Sequence, residues 1–215
     1  MSISSLIGQS RRESILKPDF LSMMNYTPTF QARVEHRIAA KSSVQFTPGI
    51  CYGVLYRIFD ADTYEEYTLR NLIGFNTRLE YRYYPSDSSA CSLKGLYVAP
   101  ELLYRSVWYQ EGKYFLVHGP NFTYQRLLEY TVNRRVYAYH VKIGYQERLS
   151  PGMYIDFFAG LGRRIISIKN NRKVPDGATH ISDAGGIDLE FYQWDDYGTK
   201  TRVSFTASVI LGFLF

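Results

Sequence analysis

The chain has 215 residues, a formal net charge of +5 and a mean hydropathy of −0.23, a length that suits one domain. No run of eighteen apolar residues occurs. That excludes a transmembrane helix but not a membrane protein built of strands, which gives lipid only every second residue. The basic residues recur singly at alternate positions instead of forming one patch with aromatics between, which argues against a nucleic-acid surface.

In chain order, residues 1–14 read as an N-terminal extension. Arg11 and Arg12 are present, but no apolar core of seven residues follows, so no secretory signal is visible. The expectation is a mature form with an added Met, or a reading frame called too short. Residues 15–215 read as a single domain of period-2 alternation, in which successive side chains point to opposite faces of a strand. A first strand is expected over Ile15–Met24, although Pro18 and a mixed pattern weaken it. The second, Thr29–Ile38, sets Phe30, Ala32, Val34, His36 and Ile38 against Thr29, Gln31, Arg33, Glu35 and Arg37. A short turn, Ala39–Ser43, leads to a third over Val44–Arg57, and an acidic loop, Phe59–Asn71, to a fourth over Leu72–Tyr84. The fourth sets Ile73, Phe75, Leu79, Tyr81 and Tyr83 against Gly74, Asn76, Arg78, Glu80 and Arg82.

After a turn rich in Ser and Asp, Pro85–Lys94, the fifth strand covers Gly95–Tyr109, with Glu101 and Arg105 on its polar face. Gln110–Arg135 reads as a long connection. The sixth strand, Val136–Gln146, puts His140 and Lys142 opposite Tyr137, Tyr139, Val141, Ile143 and Tyr145. Pro151-Gly152 closes a tight turn into the seventh, Met153–Ile166, whose polar face holds Asp156 and Arg164. Ser167–Thr199 is the longest expected loop. The eighth strand, Val203–Phe215, has one wholly apolar face and follows Arg202.

The pattern predicts an all-β fold: an eight-stranded antiparallel transmembrane β-barrel of the outer-membrane type, with short periplasmic turns and long extracellular loops. Alternation alone leaves a soluble ligand-binding β-barrel open. Three features favour the membrane form. The polar face uses small residues and paired Arg and Glu rather than a Lys- and Glu-rich exterior, as the crowded interior of eight strands requires. Aromatics gather near strand ends, as in interfacial girdles. The strands run ten to fifteen residues, above the five or six usual in soluble sheets. Arg33, Glu35, Arg37, Arg78, Glu80, Arg82, Glu101, Arg105, Lys142, Asp156, Arg164 and Arg202 are then expected to share the lumen as a salt-bridge plug. Arg-Glu-Arg triads on the second and fourth strands, taken as neighbours, supply partners. Cys51, mid-strand, and Cys91, in a turn, are too far apart to pair and are expected to be free. The four histidines show no metal-ligand spacing.

The terminal strand ending on Phe213 and Phe215 resembles the C-terminal sorting signal of bacterial outer-membrane barrels. Together with Gly95-Leu96-Tyr97-Val98-Ala99-Pro100-Glu101-Leu102 and Phe158-Ala159-Gly160-Leu161-Gly162-Arg163-Arg164, it resembles a family of small outer-membrane barrels of unknown function common in Bacteroidota. The resemblance implies an outer-membrane location, the lipid and lipopolysaccharide of that membrane as surroundings, and the barrel-assembly machinery as a partner during insertion. It brings no catalytic residues and no cofactor. The aromatic residues Tyr114, Phe115, Phe122, Tyr124, Phe191, Tyr192 and Trp194 in the two longest loops suit an envelope protein partner on the extracellular side or packing over the barrel mouth. One stretch keeps an enzyme reading open. His180-Ile181-Ser182-Asp183, with Glu190 downstream, is similar to the His-x-Ser-Asn motif of outer-membrane lipid A deacylases, with Asp183 in place of the Asn. Gly177, Gly185 and Gly186 mark this stretch as loop, so the main reading is a non-enzymatic structural or docking protein.

Overall fold

A computed structural model describes residues 14–24, 29–59, 66–85, 93–118, 122–171, 178–180 and 198–215. The elements are β1 (Ser14–Pro18), a 3-10 turn (Phe20–Met24), β2 (Thr29–Ala39), β3 (Ser42–Phe59), β4 (Glu66–Tyr83), β5 (Gly95–His118), β6 (Thr123–Ser150), β7 (Met153–Asn170), β8 (Ala178–His180) and β9 (Gly198–Leu214). Every pairing is antiparallel. All strands but β8 form one closed ring of eight, in which each pairs with its sequence neighbour and β9 returns to β1. Following the register around the ring, Leu214 pairs with Ile15, then Glu35, Gln45, Glu80, Glu101, His140 and Gly162 in turn. The path returns to β9 at Ser204, ten residues from its start. A stagger of this size tilts the strands and lets eight of them close around a side-chain-filled interior.

Burial is inverted relative to a soluble protein. The apolar face of each strand points out, with Leu102 64% and Phe205 80% exposed. The polar face points in, and Glu35 and Arg82 are fully buried. Two apolar clusters cap the interior. Tyr84, Tyr97, Tyr154, Phe158 and Ile15 close the end with the short turns, and Val107, Tyr109, Tyr130, Val132 and Ile168 close the other.

Four expectations are corrected. The first strand stops at Pro18, which has no N–H to extend the ladder, and Asp19 then turns inward to Arg33. As a result β9 pairs with β1 only at Phe213 and Leu214, and among the described residues no strand covers that edge of β9 from Thr199 to Gly212. Second, the expected connection over Gln110–Arg135 is mostly a hairpin: β5 and β6 stay paired from Gln110↔Thr131 to His118↔Thr123. With β4 pairing only as far as Gln110, this ribbon extends about 25 Å beyond its last pairing with β4 at the usual rise per residue. Third, the second and fourth predicted strands are not neighbours, because β3 lies between them. Their charges meet across the interior instead. Fourth, Ser167–Thr199 is loop only in part. β7 continues to Asn170, β9 begins at Gly198, and Ala178–His180 pairs with β5.

Glycine matters where side chains approach a wall closely. A Cβ on Gly144 would lie 2.3 Å from the Tyr97 ring, and one on Gly162 would lie 1.8 Å from the Tyr139 carbonyl oxygen and 2.8 Å from the His140 ring. Both positions give up their own side chain so that a large residue on the adjoining strand can fill the interior.

Candidate functional site in the ring interior

Inward positions build a polar network that is densest near the short turns, with a separate Arg33–Asp19 group beside it. Lys17 Nζ donates to Glu35 Oε2 (2.6 Å), Gln146 Oε1 (2.6 Å) and Asp156 Oδ2 (2.8 Å). Arg82, on the opposite wall, reaches the same three groups, at 3.3, 3.0 and 2.8 Å, and holds Glu80 through Nε at 2.6 Å. The Tyr84 hydroxyl donates to Glu35 and the Tyr97 hydroxyl to Asp156, each at 2.8 Å. Ser43 completes the shell of Glu35. Arg82 also lies over the Tyr97 ring, 4.2 Å from its centroid. Glu35 and Asp156 each have two cations and at least one hydroxyl, so the burial cost of charge is met by pairing and hydrogen bonding together.

Above this cluster Lys142 bridges Glu80 (2.8 Å) and Glu101, its ammonium 4.5 Å from the centre of the Phe158 ring. Glu101 accepts from His140 Nδ1 at 3.1 Å, and His140 Nε2 meets the Ser204 hydroxyl at 2.9 Å. With Nδ1–H given to the carboxylate, neutral His140 accepts the Ser204 proton at Nε2. Arg33 pairs with Asp19 at 2.5 Å, and Gln31 and Asn76 extend that contact along the wall.

Of the twelve residues expected to share the interior, Glu35, Glu80, Arg82, Glu101, Lys142 and Asp156 form the connected network. Arg78 touches it through Glu101 at 3.9 Å. Arg33 joins a separate pair with Asp19. Arg37 is buried but donates to the backbone carbonyls of Ala39 and Ala40 at the β2–β3 turn, not to a carboxylate. Arg105, Arg164 and Arg202 lie toward the long connections, and Arg164 lies directly across the ladder from Arg202.

Sequence reasoning missed Lys17, Asp19, His140, Gln146, Ser204 and the two tyrosines. Lys17 had a signal, since it shares the inward parity of Ile15. Asp19 had none, because it leaves the strand pattern to reach Arg33. Cys51 is a free, buried thiol 3.4 Å from the Thr29 hydroxyl, and Cys91 lies outside the described residues. Of the deacylase-like set, His180 is on β8 opposite Phe115, while Ser182 and Glu190 lie outside the described residues. Phe122 and Tyr124 stack at the tip of the β5–β6 ribbon with ring centres 5.7 Å apart. Among the described residues no group of His, Cys, Asp and Glu is placed to hold a metal ion.

Comparison of the sequence with protein-family models and with curated proteins finds no match to either.

Proposed function

We propose that the chain is an integral outer-membrane β-barrel with a closed interior, serving a structural or docking role in a Gram-negative cell envelope. One observation carries the reading: around the ring the apolar faces point outward while charge is buried inside. Exposing that much aliphatic and aromatic surface to water opposes folding, whereas hydrocarbon accepts it. Outward aromatic contacts add support. Phe75 packs against Tyr104 and Trp108, and Tyr104 against Tyr137, with ring centres 4.9 to 6.2 Å apart. Such rows suit membrane interfaces. Beside them an outer groove of about 330 Å³, lined mainly by Leu79, Leu102, Tyr104, Tyr137 and Tyr139, has the chemistry of a lipid chain.

In this orientation the short turns and both ends of the described chain face the periplasm, and the β5–β6 ribbon rises on the outer side. Its exposed Phe122 and Tyr124 would meet an envelope partner. The interior network blocks a pore, so purified protein in planar bilayers is expected to show no porin-like conductance. Detergent extraction with the outer membrane and heat-dependent gel mobility test the location. Recovery as a soluble monomer from cytoplasm would overturn it.

A second reading has its own observation. Glu101, His140 and Ser204 stand in the order orienter, base and nucleophile that serine hydrolases use. Against it, Lys142 already occupies the orienting carboxylate. Labelling of Ser204 by a fluorophosphonate would establish the hydrolase reading, and its absence favours a structural relay.

A further inference from the structure

Charge inside the ring is sorted along the strands. On β2, β4, β5 and β7 in turn, Arg33 lies nearer the long connections than Glu35, Arg78 than Glu80, Arg105 than Glu101 and Arg164 than Asp156. On β6 and β9 the inward charges toward that end are Arg134, Lys200 and Arg202. Among the inward strand side chains that are described, every carboxylate therefore lies on the short-turn side. Asp19, from the segment after β1, is the one described carboxylate that joins the arginines, and it is taken by Arg33 and Gln31.

Three of these guanidiniums have donors to spare. Arg105 makes no hydrogen bond or ion pair among the described residues, and its buried Nε has no acceptor. Arg78 has an unpartnered, buried Nε, and its single ionic contact is the 3.9 Å approach to Glu101, a carboxylate already engaged by Lys142 and His140. Arg33, only 2% exposed, uses one nitrogen on Asp19 and leaves Nε and Nη1 without acceptors. Arg78 lies within electrostatic reach of Arg33, of Arg105 and of the Asp19 carboxylate that Arg33 already holds, and Arg105 within reach of Arg134, Arg164 and the Cys51 thiol, so one carboxylate serves several guanidiniums. Like charges set this close inside a protein repel strongly unless something negative lies between them.

We propose that Arg78 and Arg105, with Arg33 beside them, form a binding site inside the ring for one phosphate-type oxyanion. Guanidinium forks match the geometry of phosphate oxygens and hold them through paired, charge-assisted hydrogen bonds. A multiply charged oxyanion would supply the missing acceptors and the missing negative charge at once. Two sources offer this chemistry, free phosphate entering from the long-connection end and the headgroup of an anionic lipid. A headgroup has a lateral approach along the edge of β9 that no described strand pairs with from Thr199 to Gly212, beside Arg202 and Ser204.

The test compares wild-type protein with Arg105→Gln at ionic strength held constant with chloride. In one arm inorganic phosphate is titrated while thermal unfolding is followed. In the other, the protein is reconstituted into phosphatidylcholine vesicles with and without phosphatidylglycerol. At saturating ligand the wild type is expected to gain on the order of 5 °C, and Arg105→Gln to bind at least about tenfold more weakly. A response to inorganic phosphate identifies a free-anion site, and a response to phosphatidylglycerol alone identifies a lipid headgroup. No response in either arm, or one that Arg105→Gln leaves intact, overturns the proposal. Should that variant fail to fold, the phosphorus NMR line of inorganic phosphate decides with wild-type protein alone. Broadening reversed by excess sulfate supports the site, and an unchanged line together with no wild-type response to phosphatidylglycerol refutes it.

Discussion

The two ends of the interior solve the same problem differently. Near the short turns, Lys17 and Arg82 approach Glu35 and Asp156 from opposite walls, and Tyr84, Tyr97, Ser43 and Gln146 take up the remaining hydrogen-bonding capacity. Toward the long connections, Arg78 and Arg105 meet few acceptors: Asp19 is taken by Arg33 and Gln31, and Glu101 by Lys142 and His140. The first region is a finished network whose members depend on each other. In the second, Arg78 and Arg105 keep buried nitrogens without acceptors. Burial alone therefore does not say how much a charged residue contributes, because the partners decide it.

The comparison is broken most severely at Asp156. Replacing it with Ala takes one carboxylate from both Lys17 and Arg82 and removes the acceptor of the Tyr97 hydroxyl. Removing one member of a buried ion pair typically costs about 3–5 kcal/mol, since the other charge stays buried. Asp156→Ala is expected to lower stability by that amount, read from urea unfolding of the folded band on a gel. Glu80→Ala should act in the same direction through Arg82 and Lys142, without opening a conducting path. A stability change under about 1 kcal/mol at Asp156 would mean that water, not the ion pairs, fills the space.

Gly162, between the two regions, comes next. Its missing side chain makes room for the Tyr139 backbone and the His140 ring, and forced overpacking costs about 1–3 kcal/mol. Gly162→Ala should lose stability in that range, and the His140 ring resonances should shift with it. A smaller loss would show that β6 and β7 separate easily at this point.

The strands near the ring were legible because period-2 alternation holds within each of them. Outward apolar residues alternate with inward ones that are mostly small or polar, and the face assignment follows from parity. The twelve inward charges were legible for the same reason. Their partners were not. Glu35 and Arg82 are 47 residues apart and sit on strands separated by β3, so only the curvature of the closed ring brings them together. Asp19 was hidden because it lies past Pro18, where the period-2 pattern ends. The β5–β6 ribbon was missed because polar residues fall on both faces beyond Gln110, and alternation marks only a strand whose two sides meet different surroundings. The Glu101–His140–Ser204 relay needs three strands in register, which no local pattern encodes.

Ser204 gives a smaller and more diagnostic effect. Its hydroxyl ends the relay from Glu101 through His140, so Ser204→Ala removes one hydrogen bond and leaves Nε2 without a partner. The expected cost is about 1 kcal/mol, or a few degrees in the unfolding midpoint of a domain of this size. His140→Gln should then make Ser204→Ala nearly silent, because the interaction being removed no longer exists. Full additivity of the two changes would show that Ser204 is held by something other than His140.

The smallest effect belongs to Arg105, and it separates the two regions most sharply. Arg105→Met keeps much of the aliphatic stem and removes a charge that has no described partner. In chloride buffer without phosphate, nothing is left stranded by this change, and the repulsion from Arg78, Arg134 and Arg164 is relieved. Replacing an uncompensated buried charge by an apolar side chain of similar volume is often neutral or stabilising. Arg105→Met is therefore expected to change stability by less than about 1 kcal/mol, on the favourable side, where Asp156→Ala costs several. A loss comparable to that of Asp156→Ala would mean that Arg105 is paired as fully as Arg82, and the division of the interior into a neutralised end and a cationic end would fall.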